Sequence, residues 1–135
     1  MILGLFLAIG CAHGGALPAA RLTVGAEKIT VEVADEPQER SLGLMYRDSL
    51  DADTGMLFVY PDEAERSFWM RNTRVPLSIA YIDAKGRIVH IADLAPLDER
   101  SVPSLAPAKY ALEMNKGWFA AHGVQVGSTV TGLPP

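Results

Sequence analysis

The sequence predicts a mostly-β single domain, a β-sandwich or barrel with two short helices. Three observations carry that expectation. Ile29, Val31 and Val33 alternate with Thr30 and Glu32, the two-residue period of a strand with one buried face. Met56–Tyr60 (MLFVY) is a short unbroken apolar run, which suits a strand covered on both faces. Further short segments of this kind follow, separated by turn-forming residues, as in sandwiches and barrels. The 135 residues suit one core, and a composition 49% hydrophobic and 21% charged is that of a globular protein.

The remaining elements follow in chain order. A first helix is expected from about Pro37 to Gly43 or Met45, because proline is favoured in a first turn and Glu36 and Glu39 suit the positive end of the helix dipole. Leu42, Met45 and Tyr46, spaced i, i+3, i+4, would share its buried side. Ser67–Arg71 and Ser78–Asp83 flank a turn-like stretch, Asn72–Pro76, and predict a hairpin with a longer loop. Ala84-Lys85-Gly86 is a tight turn into a strand over Arg87–Leu94. Leu94–Ala108 is a long proline-containing loop, a kind that often covers or forms a site. Tyr110, Leu112 and Met114 alternate along one face of Lys109–Asn115. A second helix is expected from about Gly117 to His122, stopped by Gly123, and a last strand over Val124–Val130, interrupted by Gly127. Met56, Phe58, Phe68, Met70 and Leu112 are the expected core.

Residues 1–11 carry an address. MILGLFLAIG is apolar and uncharged, too short to span a bilayer at about 20 residues but suited to the apolar region of a secretory signal. Leu7-Ala8-Ile9-Gly10-Cys11 resembles a bacterial lipobox, in which the cysteine becomes the lipidated first residue. It departs from that pattern at Ala8, where Leu or Val is usual, and in lacking a basic residue ahead of the apolar run. Cys11 is the only cysteine, so it has no intramolecular disulfide partner, and lipidation gives it a role; the alternative is a signal cleaved after Ala16, Ala19 or Ala20, with Cys11 discarded. Residues 12–21, rich in Gly, Ala and Pro, read as a flexible tether between this anchor and a β-domain over 22–131. The expected location is the periplasmic side of a cell envelope, with the membrane as one partner.

Four ordered segments resemble the DUF192 family: Glu39–Arg47, Gly55–Pro61, Ser67–Leu77, and Pro107–Glu113 with the Gly117–Gly123 turn and Val126-Gly127. The resemblance spans about residues 22–131 and implies a small β-sandwich or barrel of jelly-roll type, often exported. It brings no established activity, so no catalytic residue is carried over. Some members have a cysteine pair in the loop matching Leu94–Ala108, and this chain has none there.

The net charge of −4 sets the chain against general nucleic-acid binding, which needs clustered cations. His13, His90 and His122 stand apart in sequence, with no cysteine cluster to make a zinc site and no Gly-x-Ser-x-Gly elbow, so no metal and no cofactor is expected. Asp48, Asp51, Asp53, Asp62, Glu63 and Glu65 are acids that a fold can converge for two-carboxylate hydrolysis. The candidate binding surface centres on Trp69, Arg71 and Thr73, which strand alternation places on one face, opposite Phe68 and Met70. A tryptophan beside arginine and hydroxyls stacks on a ring or amide and pairs an anion. Asn72 and Pro76 in the adjoining loop, with Arg40 and Arg47 flanking the first helix, complete the candidate set. The leading expectation is a non-catalytic module binding a small ligand, glycan or envelope protein. The alternatives are a carboxylate-dependent hydrolase or lyase acting on an envelope polysaccharide, and a structural accessory subunit.

Overall fold

The computed structural model describes residues 16–135; the expected signal, the lipobox and Cys11 lie outside the described residues. The chain runs through β1 (Ala19–Val24), β2 (Glu27–Ala34), α1 (Pro37–Leu42), β3 (Thr54–Ala64), β4 (Ser67–Phe68), β5 (Leu77–Ile82), β6 (Ile88–Leu94), β7 (Val102–Pro103), β8 (Ala108–Asn115), α2 (Trp118–Ala121) and β9 (Val130–Thr131). It is a mostly-β single domain with two short helices. Seven strands form one sheet in the order β6-β5-β8-β3-β2-β1-β9, and β4 pairs with β7 in a separate two-stranded ribbon. The large sheet curls until its ends meet: Arg87 bridges Thr129, and Ile88 N–H donates to the Ser128 carbonyl at 2.9 Å. The result is a half-barrel.

Strand alternation divides the apolar residues between two cores. On the concave face, Ile29, Val31 and Val33 of β2 meet Leu57 and Val59 of β3 and Tyr110, Leu112 and Met114 of β8. Trp118 and Phe119 of α2 plug this space, both buried. On the convex face, Met56 and Phe58 of β3 pack with Leu77, Ile79 and Tyr81 of β5, and with Leu44, Met70 and Val75 from the segments that cross over them. MLFVY is thus covered on both faces down to Val59, as its apolar run predicts.

β2 and β3 are parallel neighbours. A parallel pair needs a crossover, and here it is α1 with the loop over residues 43–53, laid across the convex face. Glu39 holds the start of α1 by accepting from Glu36 N–H at 3.1 Å. Arg40 Nη1 pins the helix to the sheet by donating to the Val59 carbonyl at 2.9 Å. Beyond the crossover, β3 and β8 approach closely at Gly55, where an added Cβ would lie 2.3 Å from the Glu113 carbonyl oxygen. Only glycine fits that position.

Several expectations are corrected. Residues 67–71 and 78–83 do not form a hairpin, because both edges of β5 are taken by β6 and β8. Instead β4 stops at Phe68, Met70 N–H donates to the Asp98 carbonyl, and the chain turns at Asn72 with φ 52°. Leu42, Met45 and Tyr46 do not share a buried side: Gly43 (φ 49°) ends α1, Tyr46 takes φ 66°, and Leu42 and Tyr46 are exposed while Leu44 is buried. The last strand shrinks to β9, because Gln125–Ser128 closes as a turn. Phe68, expected in the core, is half-buried at its edge. The chain enters β1 at Ala19, within the stretch expected as a tether.

The α2 plug is expected to carry much of the concave core. Phe119→Ala should destabilise by about 3–5 kcal/mol, since a cavity adds to the lost transfer energy. Urea denaturation checks this; a loss below about 1 kcal/mol would mean that α2 does not seal the sheet.

Candidate functional site

The crossover and the segment around Trp69 leave a cleft between them on the convex face. Its base is the sheet, through Phe58 and Tyr60 of β3 and Glu113 of β8. One wall is Arg40–Met45, and the other is Ser67, Phe68, Trp69 and Thr73. The cleft holds about 120 Å³. Its rim is stitched by backbone and side chain: Tyr46 N–H donates to the Asn72 carbonyl at 2.9 Å, and Leu97 N–H to the Thr73 carbonyl at 3.0 Å. Asn72 Nδ2 donates to the Tyr46 hydroxyl at 3.1 Å, and Arg74 Nη2 bridges the Tyr46 carbonyl and Asp48. Tyr46, Asn72 and Leu97 all have positive φ, a costly backbone region for residues other than glycine. Such strain gathers where loops are held in a set arrangement.

Glu113 is the unusual residue. It sits in mid-strand, opposite Met56 on one side and Ile79 on the other, on the face that carries Phe58 and Tyr81. Only 4% of it is exposed. Among the described residues, neither a hydrogen-bond donor nor a cation contacts its carboxyl group. No side-chain polar atom in this set is both sealed and unpaired, so the small exposure of Glu113 is its opening into the cleft. Burial without a partner pushes its carboxyl up from 4.5 to about 8. Burial also raises the Tyr81 hydroxyl well above its ordinary value, with the Glu113 charge adding to the effect. Tyr60 is raised by burial, opposed by Arg66 and Arg40, whose guanidinium groups lie 3.9 and 4.9 Å from its ring centre.

The residues expected from sequence divide into two groups. Arg40, Trp69 and Thr73 line the cleft. Trp69 is 45% exposed and carries the Arg71 guanidinium 5.5 Å from its ring centre, so the exposed side chains at 69 and 71 do sit together. Thr73 is buried, its hydroxyl donating to the Arg71 carbonyl at 3.0 Å. Asn72 belongs to the rim. Arg47 lies elsewhere: it pairs bidentately with Glu32 at 2.5 and 2.9 Å, and that hydrogen bonding raises its pKa. Pro76 is exposed beyond the cleft, where its carbonyl accepts from Lys116 N–H.

Four of the six acids considered for convergence are engaged separately. Asp48 pairs with Arg74, Asp62 with Arg66, Asp53 accepts from Trp118 Nε1, and Glu63 accepts from Ala84 N–H. His90 stacks on Tyr81 and His122 on Trp118. A larger depression of about 630 Å³ lies between β1, β2 and Asp53–Thr54. Its charged residues, Arg21, Lys28 and Asp53, are all exposed, so it is a solvated surface.

Sequence reasoning missed Glu113, although a signal was present. If Tyr110, Leu112 and Met114 face one core, then residues 111, 113 and 115 face the other way, and the strand is flanked by apolar strands on both sides.

Residues 20–132 match the DUF192 family, described as Uncharacterized ACR. No curated protein matches the chain. A solved structure from Sinorhizobium meliloti, described as a candidate transcription regulator, is similar at 32% identity with a TM-score of 0.86, covering 89% of this chain and 98% of that one. A protein of unknown function from Novosphingobium aromaticivorans is similar at 33% identity with a TM-score of 0.80, covering 84% of this chain and 85% of that one. The fold and the extent of the match agree, and the chain belongs to the DUF192 family.

Proposed function

We propose that the protein is an exported, non-catalytic envelope module that binds a small ligand, glycan or partner side chain in the cleft over Glu113, and is held at the membrane by a lipid on Cys11. One observation carries the binding reading: the carboxyl group of Glu113, a residue only 4% exposed, has no partner among the described residues and opens into a cleft lined by Phe58, Tyr60, Phe68 and Trp69. Buried ionisable groups are ordinarily paired. Leaving one unpaired lowers stability, and a ligand that supplies the missing partner recovers what was lost. Perturbed carboxyls of this kind gather in functional clefts.

The hydrolase alternative has less support. Two-carboxylate glycoside hydrolysis uses a second carboxylate about 5 to 9 Å from the first. Glu113 is the only acidic side chain among the described residues lining the cleft. The transcription-regulator description of the Sinorhizobium meliloti protein is not carried over, because a chain of net charge −4 has no cation surplus to set against phosphates.

The anchor rests on the apolar run before Cys11 and on the absence of any other cysteine. Wild type should take up a palmitate analogue in its bacterial host and fractionate with membranes, whereas Cys11→Ser should be unlabelled and soluble. A mature N-terminus beyond Cys11 in an unlabelled wild type would remove the anchor from the proposal.

Glu113 makes a stability prediction with a definite sign. Its folded-state pKa, about 8, lies above its ordinary 4.5. The neutral acid is therefore fully compatible with folding below 4.5, and wild type loses stability relative to an isosteric amide as pH rises toward 8. The loss is about 1.4 kcal/mol per pH unit over that window and levels off above it. Glu113→Gln should melt close to wild type near pH 4.5 and clearly above it at pH 8. Equal melting temperatures across the range would mean that the carboxyl is solvated or paired.

A further inference from the structure

We propose that the cleft recognises a small organic cation, an alkylammonium group whose N–H donors pair with the Glu113 carboxylate between the surrounding aromatic side chains. This rests on the reading of the cleft as the binding site and adds the chemical class of its ligand.

The protein withholds its own cations from Glu113. Arg40, the one cation lining the cleft, has Nη1 committed to the Asp35 and Val59 carbonyls at 2.6 and 2.9 Å. Arg66, beyond Tyr60, is spent on Ala108, Asp62 and the Tyr60 ring. Two hydroxyls on this side of the sheet are also engaged: Tyr81 donates to the Val102 carbonyl at 2.5 Å, and Thr73 to the Arg71 carbonyl. What Glu113 lacks is a donor that also carries positive charge.

The walls suit the same group. Phe58, Tyr60, Phe68 and Trp69 all line the cleft, and aromatic ring faces attract cations. Two of these rings already carry guanidinium groups from the protein itself, at 3.9 Å on Tyr60 and 5.5 Å on Trp69. The volume, about 120 Å³, is that of about four water molecules, which fits the end of an alkylamine. A bare inorganic cation fits poorly, because calcium takes about six to eight oxygen ligands and this cleft offers one carboxylate and a few hydroxyls.

Binding moves one proton. At neutral pH the free carboxyl is largely protonated; when the ammonium group enters, the carboxyl O–H breaks, its proton goes to solvent, and the carboxylate accepts the ligand's N–H. Affinity should therefore rise about tenfold per pH unit toward pH 8 and then level off. The titratable and charged groups facing Glu113 are Tyr60 on β3, Tyr81 on β5 with His90 of β6 stacked behind it, and Arg40 on α1. The tyrosines are raised above their ordinary values and stay neutral in this window.

The test uses n-propylammonium, 1-propanol and propionate as probes of one size and three charges, titrated into the protein with the Trp69 indole NMR signal as readout. The expected result is binding of n-propylammonium that tightens with pH up to about 8 and weakens at least tenfold in Glu113→Gln, whose own melt verifies that it is folded. Binding of propanol or propionate in its place, or n-propylammonium binding that ignores pH and the Gln substitution, would overturn the cation and leave the cleft as a binding site. No response at Trp69 to any of the three probes would overturn both readings.

Discussion

Strand β8 is hydrogen-bonded on both edges, to β3 and to β5, and packed on both faces. The middle of such a strand, Tyr110 to Met114, is buried, so each residue there must satisfy one core or the other. Tyr110, Leu112 and Met114 satisfy the concave one, and Ala111 the convex one. Glu113 satisfies neither. The convex surface around it is arranged so that this one carboxyl meets a cleft and not a wall of methyl groups. The crossover from β2 to β3 approaches from one side, the Ser67–Thr73 segment from the other, and Gly55 lets β3 lie close against β8 beneath them. That crossover is itself a consequence of the parallel β2–β3 pair. One topological choice therefore places a helix and a loop over the part of the sheet that, among the described residues, holds its one buried carboxyl.

The cations nearby are held back from the carboxyl. Arg40 and Arg66 approach the Tyr60 ring, and their N–H groups go to backbone carbonyls and to Asp62. Arg71 sits against Trp69 and near Glu99 at 3.7 Å. A protein selected for stability alone would pair or replace a buried glutamate, since an apolar residue of similar volume is often neutral or stabilising there. Retaining it unpaired agrees with a stability–function trade-off, the strain of which is shared by the positive-φ residues of the rim.

Much of the fold was legible because strand periodicity is a local signal. Ile29–Val33, Met56–Tyr60 and Tyr110–Met114 each announce their faces, and the Pro37 and Gly117–Gly123 signals bracket both helices. What was illegible depended on partners distant in sequence. The Ser67–Arg71 segment has strand composition, but β5 had no free edge to offer it, so it pairs through two residues with β7 and then turns. Leu42, Met45 and Tyr46 have helical spacing, but Gly43 breaks the helix before that spacing takes effect. Of the site, Trp69 and Arg71 do lie together, although β4 ends at Phe68 and strand alternation does not reach them, and Arg47 lies apart, paired with Glu32 on another strand. Glu113 stayed hidden because a lone glutamate in a strand reads as a solvated position until both neighbouring strands are known.

The central claim is that Glu113 is buried, unpartnered and open only to the cleft. Its side-chain carboxyl carbon, assigned by loss of the signal in Glu113→Gln, reports its protonation directly by ¹³C NMR in the ligand-free protein. The account predicts a single titration with a midpoint near 8, well above the ordinary 4.5. A midpoint at or below 4.5 would mean that solvent or a cation reaches the carboxyl, and it would contradict the account.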